Sequence, residues 1–289
     1  MSFWPLLAEQ IKQQTQQPFQ ITSKSAIGSG CINQAYRISN GKNNYFVKIN
    51  SAQFGDMFEV EALSLGEMAS SHSIKVPQPI CHGEIGDQAY LVLEHLDLSG
   101  RVNPELQGQQ LANMHQVTGN QFGWHRNNTI GSTPQSNTLT DDWITFWREQ
   151  RLLPQLHMAQ QNGYKLPQVE QLIESFDCLF TSYQPQASML HGDLWGGNAA
   201  ALTDGTPVIF DPAFYYGDRE ADIAMTRLFG GFDARFYAAY NEALPLNEGY
   251  KVRTTFYNLY HIINHLNLFG SGYLGQAISM SERVLANIR

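Results

Sequence analysis

Charge is what this sequence has least of. Asp, Glu, Lys and Arg make up 15% of its 289 residues, against about a quarter in ordinary globular chains. The acidic residues outnumber the basic ones by 26 to 18, for a net charge of −8. That balance argues against a nucleic-acid partner, which calls for a basic face, and gives no reason to expect attraction to anionic lipid. Cysteine is also scarce: Cys31, Cys81 and Cys178 are odd in number and form no C-x-x-C pair. A zinc site or a secreted disulfide framework is therefore not expected. No apolar run approaches the ~20 residues that span a bilayer. The start, Met1-Ser2-Phe3-Trp4-Pro5, lacks the basic and apolar parts of a signal peptide. There is no internal repeat. These absences point to a reduced, cytoplasmic, soluble protein with no nucleic-acid and no membrane partner.

What is present is enough apolar residue, 43%, to build a sizeable core, in a chain long enough for two lobes. The densest chemistry lies in Leu190-His191-Gly192-Asp193-Leu194-Trp195-Gly196-Gly197-Asn198. This is His-x-Asp followed after four residues by Asn. A buried-strand run, Val208-Ile209-Phe210, then ends in Asp211-Pro212. The pattern matches the catalytic half of a kinase site, where one Asp accepts the substrate hydroxyl proton and an Asn and a second Asp hold Mg²⁺ on the nucleotide phosphates. Oxygen donors suit a hard cation that keeps several waters.

The N-terminal part reads as the matching nucleotide half. After an amphipathic helix over residues 5 to 16, a strand is expected at Phe19-Gln20-Ile21-Thr22. A Gly-rich turn follows at Gly28-Ser29-Gly30-Cys31, then a strand over residues 34 to 38. Asn40-Gly41 reads as a two-residue hairpin turn, and a third strand ends in Val47-Lys48-Ile49. Glycines let backbone N–H groups approach phosphates because no Cβ intervenes. Lys48 would neutralise phosphate oxygens. A helix over residues 54 to 71 carries Glu59, Glu61 and Glu67; Glu61 is the choice to hold Lys48. The apolar run from Ala89 leads into Glu94, His95 and Leu96, a hinge where the backbone of Glu94 and Leu96 would pair with the adenine edge. Residues 97 to 104 read as a linker. The remainder is mainly helical, with helices expected near 105–118, 143–160, 167–183, 219–230, 233–243, 249–268 and 272–288. The stretch from Phe122 to Asn137 is long for a structureless connection, so it is either functional or disordered.

These residues resemble the fructosamine kinase (ketosamine-3-kinase) family, within the aminoglycoside-phosphotransferase and protein-kinase-like fold. The likeness rests on Gly28 to Asn33, Phe46-Val47-Lys48, Phe58-Glu59-x-Glu61, Val76-Pro77-x-Pro79 and Asn128-Thr129-Ile130-Gly131-x-x-Pro134-Gln135. It rests above all on His191 to Asn198, Asp211-Pro212-Ala213 and Tyr216-Gly217-Asp218-Arg219-Glu220-x-Asp222. The resemblance implies an α+β, bilobal protein-kinase-like fold: a small antiparallel-sheet lobe with one main helix (residues 1–96), a linker (97–104) and a larger, mainly helical lobe (105–289). It implies ATP- and Mg²⁺-dependent phosphorylation of the sugar 3-hydroxyl of ketosamines, free or protein-bound, in a deglycation role. A same-fold kinase for an aminoglycoside, choline or thio-sugar hydroxyl is the alternative, and a non-catalytic nucleotide-binding protein a more remote one.

In this reading Asp193 is the catalytic base and Asn198 and Asp211 are the metal ligands. All of them should meet Lys48 in a single cleft. His191 and Asp222 are expected to brace the catalytic loop. Trp195, two residues past the base, would pack on the sugar. Phe214 and Asp218 are further substrate candidates, Asp218 as a counter-charge to the substrate's cationic amine. Cys31, in the Gly-rich turn, is either a small apolar residue or a redox switch, so the protein is expected to be a monomer or a redox-dependent homodimer.

Overall fold

The computed structural model describes residues 2–28 and 33–288. The expectations for Ser29, Gly30 and Cys31 lie outside these residues. The chain divides into two compact units that are not contiguous in sequence. The first comprises Met1–Asn103 with Ala200–Pro212, the second Pro104–Ala199 with Ala213–Arg289.

The first unit opens with α1 (Phe3–Thr15), whose Leu7, Ala8 and Ile11 fall on one stripe and are buried. A five-stranded antiparallel sheet follows: β1 (Ser23–Ala26), β2 (Gln34–Ser39), β3 (Asn44–Ser51), then, after α2 (Gly55–Ser70), β4 (Pro79–Ile85) and β5 (Gln88–Glu94), in the order β1-β2-β3-β5-β4. Strand side chains alternate between faces. Val47 and Ile49 pack with Leu7, Ile11, Phe19, Ile38, Tyr90 and Val92 into one apolar cluster. Each such fully buried aliphatic side chain contributes about 1.5–3 kcal/mol. Lys48, between them in sequence, points the other way and bonds to α2.

Two local expectations need correction. The first strand is Ser23–Ala26, not residues 19 to 22. Its residues are all exposed, so this edge strand carries no apolar period, while the apolar Phe19 belongs to the core cluster without pairing. Asn40-Gly41 is part of a four-residue loop between β2 and β3. The Asn40 side-chain oxygen accepts from the N–H groups of Lys42 and Asn43, at 3.0 and 2.7 Å, and this fixes the wider turn.

In the second unit α3 (Pro104–His115) leads to a short hairpin, β6 (Asn128–Ile130) and β7 (Thr133–Gln135). The stretch from Phe122 to Asn137 is therefore ordered. The helix expected over 143–160 is divided into α4 (Trp143–Trp147), a π-helical turn (Arg148–Leu152) and α5 (Leu153–Gln161). Pro154 has no N–H to donate within this run, and the wider turn absorbs the break. The helix expected over 167–183 stops as α6 (Pro167–Ser175) and continues as a 3₁₀ turn. Strand β8 (Ser188–Leu190) precedes the His-Gly-Asp sequence. The 200–212 segment of the first unit carries most of a two-stranded sheet, β9 (Ala199–Ala201) with β10 (Pro207–Ile209), and in the second unit β11 (Tyr215–Gly217) pairs antiparallel with β8. Helices α7 (Arg219–Leu228), α8 (Ala234–Ala243), α9 (Tyr250–Phe269) and α10 (Leu274–Ile288) complete the unit. Helix α9 is buried along most of its length, through Phe256, Tyr257, Leu259, Ile262, Ile263 and Leu266. Among the described residues no helix is long and apolar enough to cross a membrane.

Candidate active site

In the first unit, Lys48 sits mid-strand, opposite Ala35 on β2 and Leu91 on β5, so its backbone is held on both sides. Its ammonium donates to Glu61 of α2 at 2.7 Å and also to Asp211, which follows β10. Burial alone would lower the Lys48 pKa, but the Asp211 and Glu61 carboxylates overcome it and hold the group above its ordinary value. Glu61, rather than Glu59 or Glu67, is thus the partner of Lys48. The Asp211 side chain is 48% exposed, against 9% for that of Lys48, so one face of the carboxylate remains accessible. Asp211 also has φ of +58°. Asp tolerates this left-handed conformation better than most residues, and such strain clusters at functional sites.

Segment 200–212 is docked in the first unit by backbone bonds. Ile209 N donates to Lys75 O at 3.0 Å, and Gly100 N to Ala201 O at 3.2 Å. At the expected hinge, the Glu94 carboxylate accepts from Lys75 at 3.3 Å, while the Glu94 N–H donates to Gln78 O at 2.8 Å. The Glu94 N–H is therefore already engaged. His95 and Leu96 are half-buried. Gly28 has φ of +28° and open space where a Cβ would lie.

In the second unit the His191–Asn198 stretch is held by α7. The N–H groups of His191 and Gly192 donate to the two oxygens of Asp222, at 2.7 and 2.8 Å. His115 at the end of α3 contacts the same carboxylate through Nε2 at 3.2 Å, and its Nδ1 meets the Tyr240 hydroxyl at 2.7 Å. Burial would raise the Asp222 pKa, but these partners, His115 first, hold it below the ordinary carboxylate value. Gly192 has φ of +81°, and a Cβ there would lie 2.0 Å from Ala213 O. Only glycine fits. His191 is fully buried; its Nδ1 accepts from the Asp193 N–H at 3.2 Å. Asp193 remains half-buried. Asn198 donates through its amide nitrogen to Asp193 O at 2.9 Å and to the carboxylate at 3.3 Å. Those bonds do not use its amide oxygen, the atom that suits a metal. Trp195 is 39% exposed, with its indole over Gly197, where a Cβ would come within 2.3 Å.

Sequence reasoning left the stretch from Phe122 to Asn137 as either functional or disordered, and the structure gives its second half a supporting role. Gln135 donates to Ala213 O at 3.2 Å and Asn128 donates to Phe214 O at 2.7 Å, fixing the backbone just after Asp211-Pro212. Arg151, fully buried on the π-helical turn, donates to Ser136 O and Asn137 Oδ1, at 2.5 and 2.7 Å. The signal was visible as the quoted Asn128…Gln135 run, but its target lies 78 residues away.

Phe214 and Asp218 are placed differently from expectation. Phe214 is fully buried, edge-on to Trp124 at 5.1 Å. Asp218 is also fully buried. It accepts from the Tyr183 and Tyr257 hydroxyls at 2.8 and 2.5 Å and caps α7 through the Glu220 N–H at 3.0 Å. Its carboxylate is spent on packing the helices, and neither residue presents a surface to a substrate. Their nearness in sequence to Asp211 did not determine which way they point.

Among the described residues no three His, Cys, Asp or Glu side chains form a self-sufficient metal site. Asp211 in the first unit and Asn198 in the second each offer an oxygen donor of the kind Mg²⁺ takes, an ion that commonly uses one or two protein ligands and fills its shell with water and substrate phosphates.

The model of a family described as fructosamine kinase matches residues 3–287. A probable ketoamine kinase of Synechocystis is 49% identical, over 98% of this chain and 97% of its own. The chloroplastic protein-ribulosamine 3-kinase of Arabidopsis thaliana is 41% identical, over 93% and 85%. Among solved structures, a candidate fructosamine-3-kinase of Haemophilus somnus superposes with a TM-score of 0.89 at 30% identity, over 96% of both chains. An aminoglycoside phosphotransferase, crystallised with ADP and hygromycin B, gives 0.63 at 15% identity, over 100% of this chain and 98% of its own. That likeness shows the shared protein-kinase-like α+β fold.

Proposed function

The chain belongs to the fructosamine kinase family, and on that premise we propose that it transfers the γ-phosphate of ATP to the sugar 3-hydroxyl of ketosamines. The observation that carries this reading is the Asp193 loop. Its backbone is clamped by Asp222, its Asn198 is bonded to Asp193, and its base is left half-buried beside the exposed Trp195. The names of the relatives, ketoamine kinase and ribulosamine 3-kinase, support the substrate class.

Asp193 takes the proton from the attacking hydroxyl. The sugar oxygen forms its bond to the γ-phosphorus as the bond to the β-phosphate oxygen breaks and ADP leaves. Lys48, kept charged and fixed by Glu61, balances phosphate charge. Gly28 and the glycine-rich turn, with the 94–96 backbone, serve the rest of the nucleotide. In this reading residues 1–96 serve the nucleotide and residues 105–289 carry the base and the substrate contacts. Asp211 and Asn198 would hold Mg²⁺, which supplies neutralisation of the phosphate oxygens when bound. Trp195 packs on the sugar.

The cytoplasm is the proposed compartment, a reading supported by the free thiols of Cys81 and Cys178. A Cys31-linked homodimer is the one oligomer that the sequence suggests. A non-reducing gel after peroxide, with Cys31→Ala as control, decides it. The activity itself is tested with a panel: ADP release with a ribulosamine, an erythrulosamine, a fructosamine and an aminoglycoside. Turnover of the aminoglycoside alone contradicts the proposal.

A further inference from the structure

Most aromatic side chains of the second unit are core: Trp147, Phe256 and Tyr257 are essentially inaccessible. One group is not. Trp195 meets Phe229, just past α7, with ring centroids 6.0 Å apart. Phe229 meets His265 of α9 at 4.9 Å. His265 meets Phe269 at 5.3 Å and Tyr273 at 5.1 Å. The strip starts half-open at Trp195 and ends at Phe269, which at 61% is the most exposed large hydrophobic side chain among the described residues. Phe229, His265 and Tyr273 between them are half-buried. The far end lies on the last turn of α9 and the 3₁₀ turn Ser271–Tyr273.

The strip is uncharged near neutral pH, since burial holds the His265 imidazole below its ordinary pKa while its Nδ1 lies 2.8 Å from His261 O. It therefore offers neither end of a free amino acid an ionic partner. Three ring-to-ring steps of 6.0, 4.9 and 5.3 Å match a length of extended chain, on the order of four to five residues at ~3.4 Å each. The strip also begins at the right place. Trp195 is two residues from the proposed base, and a ketosamine held there by its sugar must send its amine substituent away from the reacting hydroxyl. Aromatic rings bind peptide side chains through large buried area at little conformational cost.

We propose that the strip Trp195–Phe229–His265–Phe269–Tyr273 binds the polypeptide that flanks a modified lysine, selecting protein-bound ketosamines with apolar or aromatic neighbours. This rests on the kinase reading above and names the part of the substrate that the reading leaves open.

The test compares two substrates at fixed ATP. One is a capped single ribulosyl-lysine. The other is a capped heptapeptide with ribulosyl-lysine flanked by Phe and Leu. The wild type is expected to use the heptapeptide with a kcat/KM higher by about tenfold, carried by KM, since buried aromatic anchors dominate such interfaces. Phe269→Ala and Tyr273→Ala should each remove most of that advantage and leave kcat/KM on the single residue within about twofold. Phe269→Leu should restore part of it, and an unchanged melting temperature shows that the variants are folded. Equal use of the two substrates by the wild type, or equal losses on both in the variants, overturns the inference and leaves the kinase reading intact. A wild type inactive on both overturns the kinase reading, and the inference with it.

Discussion

The Lys48 ammonium and the Glu61 carboxylate lie 2.7 Å apart, with only 9% and 12% of their side chains exposed. A pair so buried is costly to break on one side, because the survivor is left charged without a partner, typically at about 3–5 kcal/mol. Lys48→Met is predicted to destabilise the protein by roughly 3 kcal/mol and to raise the KM for ATP at least tenfold. Lys48→Met with Glu61→Leu should recover most of the stability and none of the activity. Urea unfolding of the two variants checks this; a double variant no more stable than the single one contradicts it.

Gly192 is predicted to tolerate no side chain. Its φ of +81° and the 2.0 Å approach of Ala213 O leave no room for one. Gly192→Ala should lower stability by about 2 kcal/mol or more and cut kcat at least 100-fold, because the Asp193 loop must move. Gly196→Ala, with nothing within 4 Å of its added Cβ, is the matched control and should keep its fold. Thermal melts and steady-state rates on both separate the outcomes.

Gln135 links three strangers. It donates to Asn128 and Ala213 O, and accepts from the Tyr260 hydroxyl at 2.8 Å. Gln135→Leu keeps the volume and strands the buried partners, at about 1–3 kcal/mol for each group left unsatisfied. Because the bond to Ala213 steadies the backbone two residues after Asp211, kcat should fall more than ATP binding does. Equilibrium ATP binding measured beside kcat checks the split.

His261 is buried on α9, its Nδ1 without a partner among the described residues, and burial and the nearby His265 depress its pKa to about 3. Arg151 pushes in the same direction and Asp222 against it. The unfolded chain takes up a proton near pH 6.5 while the folded one does not. Stability from this group is thus present above pH 6.5 and lost as pH falls towards 3, by up to about 1.4 kcal/mol per pH unit. His261→Gln should flatten the fall in melting temperature between pH 6.5 and 5. Parallel curves for the two proteins contradict the assignment.

The helices were legible because burial follows their 3.6-residue period, as with Leu7 and Ile11 on α1. The edge strand Ser23–Ala26 was not, since a strand with no buried face has no pattern to read. The Asp193 and Asp211 stretches were visible because their motif residues sit close together in sequence. Their supports were hidden because they come from far away: His115 reaches Asp222 across 107 residues, and Gln135 reaches Ala213 across 78. Asp218 shows the opposite error. A carboxylate beside a motif invites a charge role, yet two tyrosine hydroxyls and a helix N-terminus already claim it.

The most direct measurement is phosphate transfer to a ribulosyl-lysine, followed by ³¹P NMR, for the wild type and Asp193→Ala. A new sugar-phosphate resonance is expected with the wild type. With Asp193→Ala the rate should fall at least 100-fold while ATP still binds, in line with the loss of a general base. An unchanged rate in the variant, or no sugar phosphate from an ATP-binding wild type, would contradict the account at its centre.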